Sequence, residues 1–387
     1  MIEPARRASI QRISFLDSLR GVAVVSVFLF HVYGASFAQD ALAWKGWVRD
    51  FNASLPFLAF LPLGLGWVGV PLFFVISGFC IHLTRTKQTD AGWLGFFGRR
   101  FFRIYPPYLI ALLLFAFWYP NTRLASGTPL DWLQLRNHLL LTHNLDPRTV
   151  FGINPAFWTI AVEVQLYLLY PVLYVLARRW TWPRALLMAG AIECAVRLTK
   201  MTEACWPGLA GLMPAWLAES PLTYWYSWGV GAWIADAYSK GESLPFRRHP
   251  IWLWPLSCVL SYFILPASFF SFPLAALSAA VVLARSVERL PTRASVSGRW
   301  GQHLAAVGVV SYSFYLLHQP LVWSILPVAG WLGVRVYPWW PVVLVGSLFA
   351  YVVIFGLAWV FHRWFEVPGI RLGKGIGDFT KLGRRAA

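Results

Sequence analysis

The stretch FLDSLRGVAVVSVFLFHVYGASFA, Phe15 to Ala38, constrains the fold most, because it is long enough to span a bilayer yet carries an arginine and a histidine. Arg20 and His31 stand eleven residues apart. At about 100° and 1.5 Å per residue, that spacing returns a helix to within roughly 20° of its starting face after a rise of about 16 Å. One stripe of one helix therefore presents both. Ionisable groups inside a bilayer are costly unless they face protein or water, so such a stripe marks a functional surface by default. Arg20 lies within two turns of the start of the run, where snorkelling and pairing with Asp17 also account for it. His31 is too deep to snorkel; it either serves a function or is satisfied by a neighbouring helix.

Apolar runs of this kind recur from end to end, at 14–38, 64–84, 102–119, 156–177, 184–200, 221–238, 250–266, 268–286, 304–328 and 338–362. Only 13% of the residues are charged, where a soluble domain carries about a quarter. The expectation is an all-α polytopic membrane protein with about ten transmembrane helices, comprising one membrane domain over 1–370 and a short basic tail over 371–387. A formal charge of +17 would suggest a nucleic-acid partner in a soluble protein. Here the distribution argues instead for a lipid bilayer and no nucleic acid. With the N-terminus placed in the cytoplasm, only Lys45, Arg49, Arg123, Arg136, Arg148, Arg197, Lys200 and Arg335 of the 33 basic residues fall outside. Ten spans then put both termini in the cytoplasm. A signal peptide ending at Ser36-Phe37-Ala38 is rejected, because the run is long for a signal core, is interrupted by Arg20, and its removal would upset the charge parity.

The four cysteines, Cys80, Cys194, Cys205 and Cys258, have no metal or redox spacing, and no nucleotide loop or nucleophile elbow is present. Trp44, Trp47, Trp118 and Trp132 are placed as an interfacial aromatic belt would place them. The segment DWLQLRNHLLLTHNL, 131–145, repeats Leu and Trp at helical spacing and is expected to lie along the outer surface. Pro71, Gly78, Pro171, Gly229, Gly231 and Pro255 interrupt the runs and suggest kinked helices around a cavity.

Counting rise from the exterior ends places Glu163 and His31 each about 10 Å deep, and His318 about 15 Å deep. One carboxylate and two imidazoles can thus converge in the outer half of the bilayer. A carboxylate beside an imidazole fixes its tautomer and strengthens it as a base for a hydroxyl proton. In GVPLFFVISGF, Gly69, Ser77 and Gly78 are assigned to close helix packing. Arg99, Arg100 and Arg103 in RRFFRIYPPY either enforce topology or hold the phosphates of a nucleotide-like donor.

Together these stretches resemble the acyltransferase-3 family of membrane acyltransferases, which O-acylate bacterial surface glycans and related hydroxyl acceptors. The resemblance runs through FLDSLRGVAVVSVFLFHV, GVPLFFVISGF, RRFFRIYPPY, FWTIAVEVQLYLLYP, SYSFYLLHQPL and FEVPGIRLG, in that order. It implies a bacterial plasma-membrane enzyme with no bound cofactor. Acyl-CoA, acetyl-CoA first, would be the co-substrate, and a carbohydrate or other hydroxyl compound the acceptor. By likeness His31 is the catalytic base or a transient acyl carrier, and Glu163, in the stretch beginning at Trp158, orients it. Arg20, Arg99, Arg100 and Arg103 serve the donor. Trp158, Ser77, Tyr312 and His318 are supporting candidates, and Ser77, Ser311 and Ser313 are oxyanion donors by composition alone. Many relatives carry a C-terminal esterase-like domain. This sequence ends about two dozen residues after its last apolar run, so none is expected here. A transporter or flippase of glycan or lipid precursors is the rival reading, weakened by the lack of an internal repeat.

Overall fold

The computed structural model describes residues 2–37, 61–87, 92–120, 122–124, 127–289, 298–331 and 340–375. Among them the regular structure is entirely helical. The main helices are α1 (Ile2–Phe37), α2 (Gly69–Lys87), α3 (Gly92–Leu113), α4 (Pro129–Leu139), α5 (Phe157–Arg179) and α6 (Trp182–Cys205). They continue with α7 (Trp225–Lys240), α8 (Leu253–Tyr262), α9 (Ser271–Arg289), α10 (Arg299–Val309), α11 (Ser311–Trp331) and α12 (Trp340–Phe361). α12 runs on through a π turn, His362–Glu366, and stays helical to residue 375.

Six helices among the described residues are long and apolar enough to cross a membrane, or seven if the bent pair α10 and α11 is one span. The runs at 184–200, 221–238 and 250–266 form α6, α7 and α8, which do not meet that standard. α6 carries five charged residues, Arg184, Glu193, Arg197, Lys200 and Glu203, while α7 and α8 have 16 and 10 residues. Arg197, placed outside by the charge distribution, is buried. Its guanidinium pairs with Glu193 and donates to the carbonyls of Phe269 and Thr223 at 3.1 and 2.9 Å. Ser227 donates its N–H and O–H to the same carboxylate. A charged pair removed from water persists only when its remaining donors and acceptors are met in this way.

Backbone contact through glycine sets the two closest crossings. At α2–α7, a Cβ on Gly78 would stand 2.1 Å from the Trp228 carbonyl oxygen, and one on Gly231 would stand 1.9 Å from that of Val75. Gly69 is likewise pressed on Ala23 of α1. The two glycines of the GVPLFFVISGF stretch therefore do pack, as the small-residue pattern suggests, whereas Ser77 turns elsewhere. Gly231→Ala is expected to force α2 and α7 apart and to destabilise the fold by about 1–3 kcal/mol, the usual cost of overpacking. Thermal unfolding in detergent checks this; an unchanged midpoint would show that the crossing is looser than this packing.

At α1–α10 the reciprocal pair is Gly21 against the Leu304 carbonyl and Gly308 against that of Asp17, where a Cβ would lie 1.7 Å away. This contact lays α10 across α1. The chain then turns by 82° into α11, so the apolar run at 304–328 is two helices.

The segment 131–145 lies only partly on the surface. α4 starts at a capping box between Thr128 and Asp131, which meets two of the otherwise unpaired N–H groups of its first turn. Trp118 and Trp132 are exposed, as belt residues would be, whereas Trp44 and Trp47 lie outside the described residues. Past α4 the chain dips inward. Tyr105 and Tyr108 donate to the carbonyls of Leu139 and His138, and Gln165 of α5 exchanges amide hydrogen bonds with Asn144. His138 and His143 stack with centroids 4.0 Å apart, both fully buried. Burial lowers His138 to about 4, so it is neutral at pH 7 and the fold carries no buried charge there.

Candidate active site

Six helices, α1, α2, α3, α5, α10 and α11, line a cavity of about 310 Å³ together with the π turn and Ile370 just beyond it. α1 contributes Asp17 and Arg20, which sit one turn apart and pair at 2.8 Å. The other side of that guanidinium donates to the Cys80 sulfur of α2 at 3.2 Å. α3 contributes Arg100 and Arg103, which the RRFFR spacing sets on one face of its helix. A second cavity of about 330 Å³ shares Asp17, Arg20, Cys80, Arg100, Arg103 and Ile370 with the first and adds Arg99 and Lys374. Five cations against one carboxylate, Asp17, thus line the connected space at this mouth. Guanidinium groups there present forked donors that match phosphate oxygens.

Two carboxylates also line the cavity, one from α5 and one from the π turn. Glu163 of α5 accepts from Ser77 at 2.7 Å and from Tyr167 one turn later on its own helix, and Trp228 donates to Ser77 at 3.2 Å. Glu366, in the π turn, accepts from Ser313 at 2.8 Å and from Nδ1 of His362 at 2.9 Å. Tyr312 closes the gap between α11 and α3 by donating to the Ile104 carbonyl at 2.8 Å. Of the three serines considered as oxyanion donors, Ser77 and Ser313 are held by carboxylates, while Ser311 lines the cavity.

His31 lies beyond this space. Its ring centroid is 5.0 Å from that of His318, and both residues are buried. The two imidazoles therefore meet, α1 supplying one and α11 the other. Tyr315 connects the pair to the cavity. It lines the cavity wall, takes a hydrogen bond from Thr159 at 2.7 Å, and has its ring 5.1 Å from His318. Glu163 is not brought to His31; its hydrogen bonds go to Ser77 and Tyr167. Trp158 packs against Tyr224, away from the cavity lining.

The carboxylate–imidazole arrangement that the sequence places at Glu163 and His31 is realised instead by Glu366 and His362. Sequence reasoning missed it. The signal was a histidine four residues before a glutamate at the end of the last apolar run, a spacing that puts both on one helical face.

A cation-lined cavity and a buried imidazole pair thus sit within a helical scaffold with several apolar helices long enough to cross a membrane, and sequence comparison gives its family. The acyltransferase domain family matches residues 13–359. The chain belongs to this acyltransferase-3 family and is a multi-pass membrane protein. It is 23% identical to the acyltransferase MdmB of Streptomyces mycarofaciens over 79% of this chain and 78% of that protein. It is 26% identical to nodulation protein 10 of Rhizobium leguminosarum bv. viciae over 84% of this chain and 85% of that one. A match to the peptidoglycan O-acetyltransferase OatA of Listeria monocytogenes, 22% identical, covers 45% of this chain but only 26% of that protein. No solved structure gives a significant match.

Proposed function

We propose that the protein is a plasma-membrane O-acyltransferase that takes an acyl group, acetyl first, from cytosolic acyl-CoA and delivers it to a hydroxyl of a periplasmic or cell-surface glycan or related acceptor. The observation that carries this reading is the series formed by the five-cation mouth, the cavity and the buried His31–His318 pair. In this reading the mouth opens to the cytoplasm, both termini lie on that side and about ten segments cross, following the distribution of basic residues. The nucleotide phosphates of the donor occupy the mouth, where Arg20, Arg99, Arg100 and Arg103 neutralise them. The thioester arm then extends along the cavity towards His31.

His31 takes the hydroxyl proton as the oxygen bonds to the thioester carbonyl carbon. The carbon–sulfur bond breaks, and the proton passes to the departing thiolate sulfur. An acyl-histidine relay would use the same imidazole as nucleophile. The name of the relative OatA, a peptidoglycan O-acetyltransferase, supports transfer to hydroxyl acceptors of the cell envelope, and that of MdmB, an acyltransferase, supports acyl transfer. The test is transfer of label from radioactive acetyl-CoA into envelope glycan and lipid extracts by membranes containing the protein. Label above that of empty membranes supports the reading and delivers the acceptor. Substrate movement across the membrane without acyl-CoA consumption would replace it with a transporter.

A further inference from the structure

The last apolar helix ends in a group that acyl transfer at His31 leaves unused. α12 passes into the π turn His362–Glu366, where the N–H of Val367 donates to the carbonyl of His362, five residues back. Such single π turns are rare and often mark functional sites. This one carries an imidazole and a carboxylate in contact, with Nδ1 of His362 2.9 Å from the Glu366 carboxylate. An ionised carboxylate can only accept, so Nδ1 carries the hydrogen, and in the neutral ring Nε2 keeps its lone pair. Glu366 is held in turn by Ser313, which donates to it at 2.8 Å. Among the described residues the contact at Nδ1 is the ring's one hydrogen bond, which leaves Nε2 unengaged. The His362 side chain is 16% exposed and lines the cavity of about 310 Å³ that Arg20, Arg100 and Arg103 also line. A polar cavity of that size has room for water.

We propose that His362 is a second catalytic base, oriented by Glu366, and that it gives the protein an acyl-CoA hydrolase activity when no acceptor hydroxyl is bound. Nε2 takes a proton from a cavity water as the water oxygen bonds to the thioester carbonyl carbon. The carbon–sulfur bond breaks and the proton passes to the departing thiolate sulfur, so a carboxylic acid and the free CoA thiol leave. Glu366 is the positioning residue. It fixes the tautomer and balances the positive charge that the ring acquires in the transition state. The inference rests on the reading of the cavity as the donor site, and it divides the chemistry between two histidines. His31 is buried and stands outside the cavity lining, whereas His362 stands on it beside the cations. The first serves the acceptor hydroxyl and the second serves water.

Hydrolysis without acceptor is measured on purified protein in lipid nanodiscs with two probes. Acetyl-CoA is read by binding and by thiol release, and p-nitrophenyl acetate, a small ester that needs no nucleotide site, by nitrophenolate release. The parent should hydrolyse both faster than empty nanodiscs, and more slowly in D2O, since a proton moves in the transition state. His362→Gln, which keeps an amide N–H for Glu366, should lose about 100-fold or more of either rate, the contribution of a general base. Glu366→Gln should lower kcat for acetyl-CoA and leave its KM unchanged, a split that a distorted donor cavity would not give. His31→Ala, which loses transfer, should still hydrolyse both probes. Acetyl-CoA that binds to the parent without being hydrolysed overturns the proposal. So does a rate that His362→Gln leaves intact or that His31→Ala removes. Hydrolysis of p-nitrophenyl acetate that depends on His362, with acetyl-CoA not bound, keeps His362 as a base and overturns the donor reading instead.

Discussion

Replacing His31 with alanine is expected to abolish acyl transfer, with a loss of about 10³-fold within the range that general-base catalysis contributes, while the protein still inserts and folds. His31 is 6% exposed, and Phe30 and His318 are among its ring neighbours, at 5.3 and 5.0 Å. None of the close backbone contacts that hold α1 involves it, since those run through Gly21, Gly66, Gly69 and Gly308. Truncation therefore removes the base and leaves a small void, a change that core packing tolerates better than a displaced helix. The check is label transfer from acetyl-CoA beside size-exclusion profiles of parent and variant. Retained transfer with an unchanged profile would remove His31 from the chemistry under both the direct and the relay mechanism.

The second large effect is expected at Arg100, which lines both cavities and whose guanidinium lies over the Phe96 ring at 5.9 Å. A charge-assisted hydrogen bond to a phosphate is worth about 1.5–3 kcal/mol, so Arg100→Ala should raise KM for acyl-CoA by roughly 10–100-fold. kcat should change little, because this contact is equal in ground and transition states. Arg100→Lys should recover only part of the loss, since an ammonium is a point donor without the planar fork. Steady-state kinetics at two salt concentrations settle the matter. A fall in kcat at constant KM would assign Arg100 to the chemical step.

Much of this site is legible in the sequence because intramembrane charge is rare enough to stand out. The Arg20–His31 stripe, the RRFFR cluster and Glu163 are all visible as ionisable groups in or beside apolar runs. Depth along a helix also follows from counting, which is why His31 and His318 could be placed near one another. Counting says nothing about azimuth, however. Glu163 has a similar depth to His31, yet its face of α5 turns to Ser77 and Tyr167. The break at Val310 was illegible for a different reason. It accompanies the contact of Gly308 with the Asp17 carbonyl, between residues almost three hundred positions apart, and no local propensity records it. The charged helix α6 misled in the same way. Its Arg197 looks like an exterior charge until Glu193, Ser227 and two carbonyls from other segments are seen to surround it.

Asp17 holds two structural roles at once. Its carboxylate anchors Arg20 at the cavity mouth, and its carbonyl is the surface on which Gly308 rests. Any side chain at position 308 must push against the residue that aims a cavity-lining guanidinium. In a saturation scan, Gly308 would therefore share its phenotype with the arginines rather than with the neighbouring core, although it touches no charge and takes part in no chemistry.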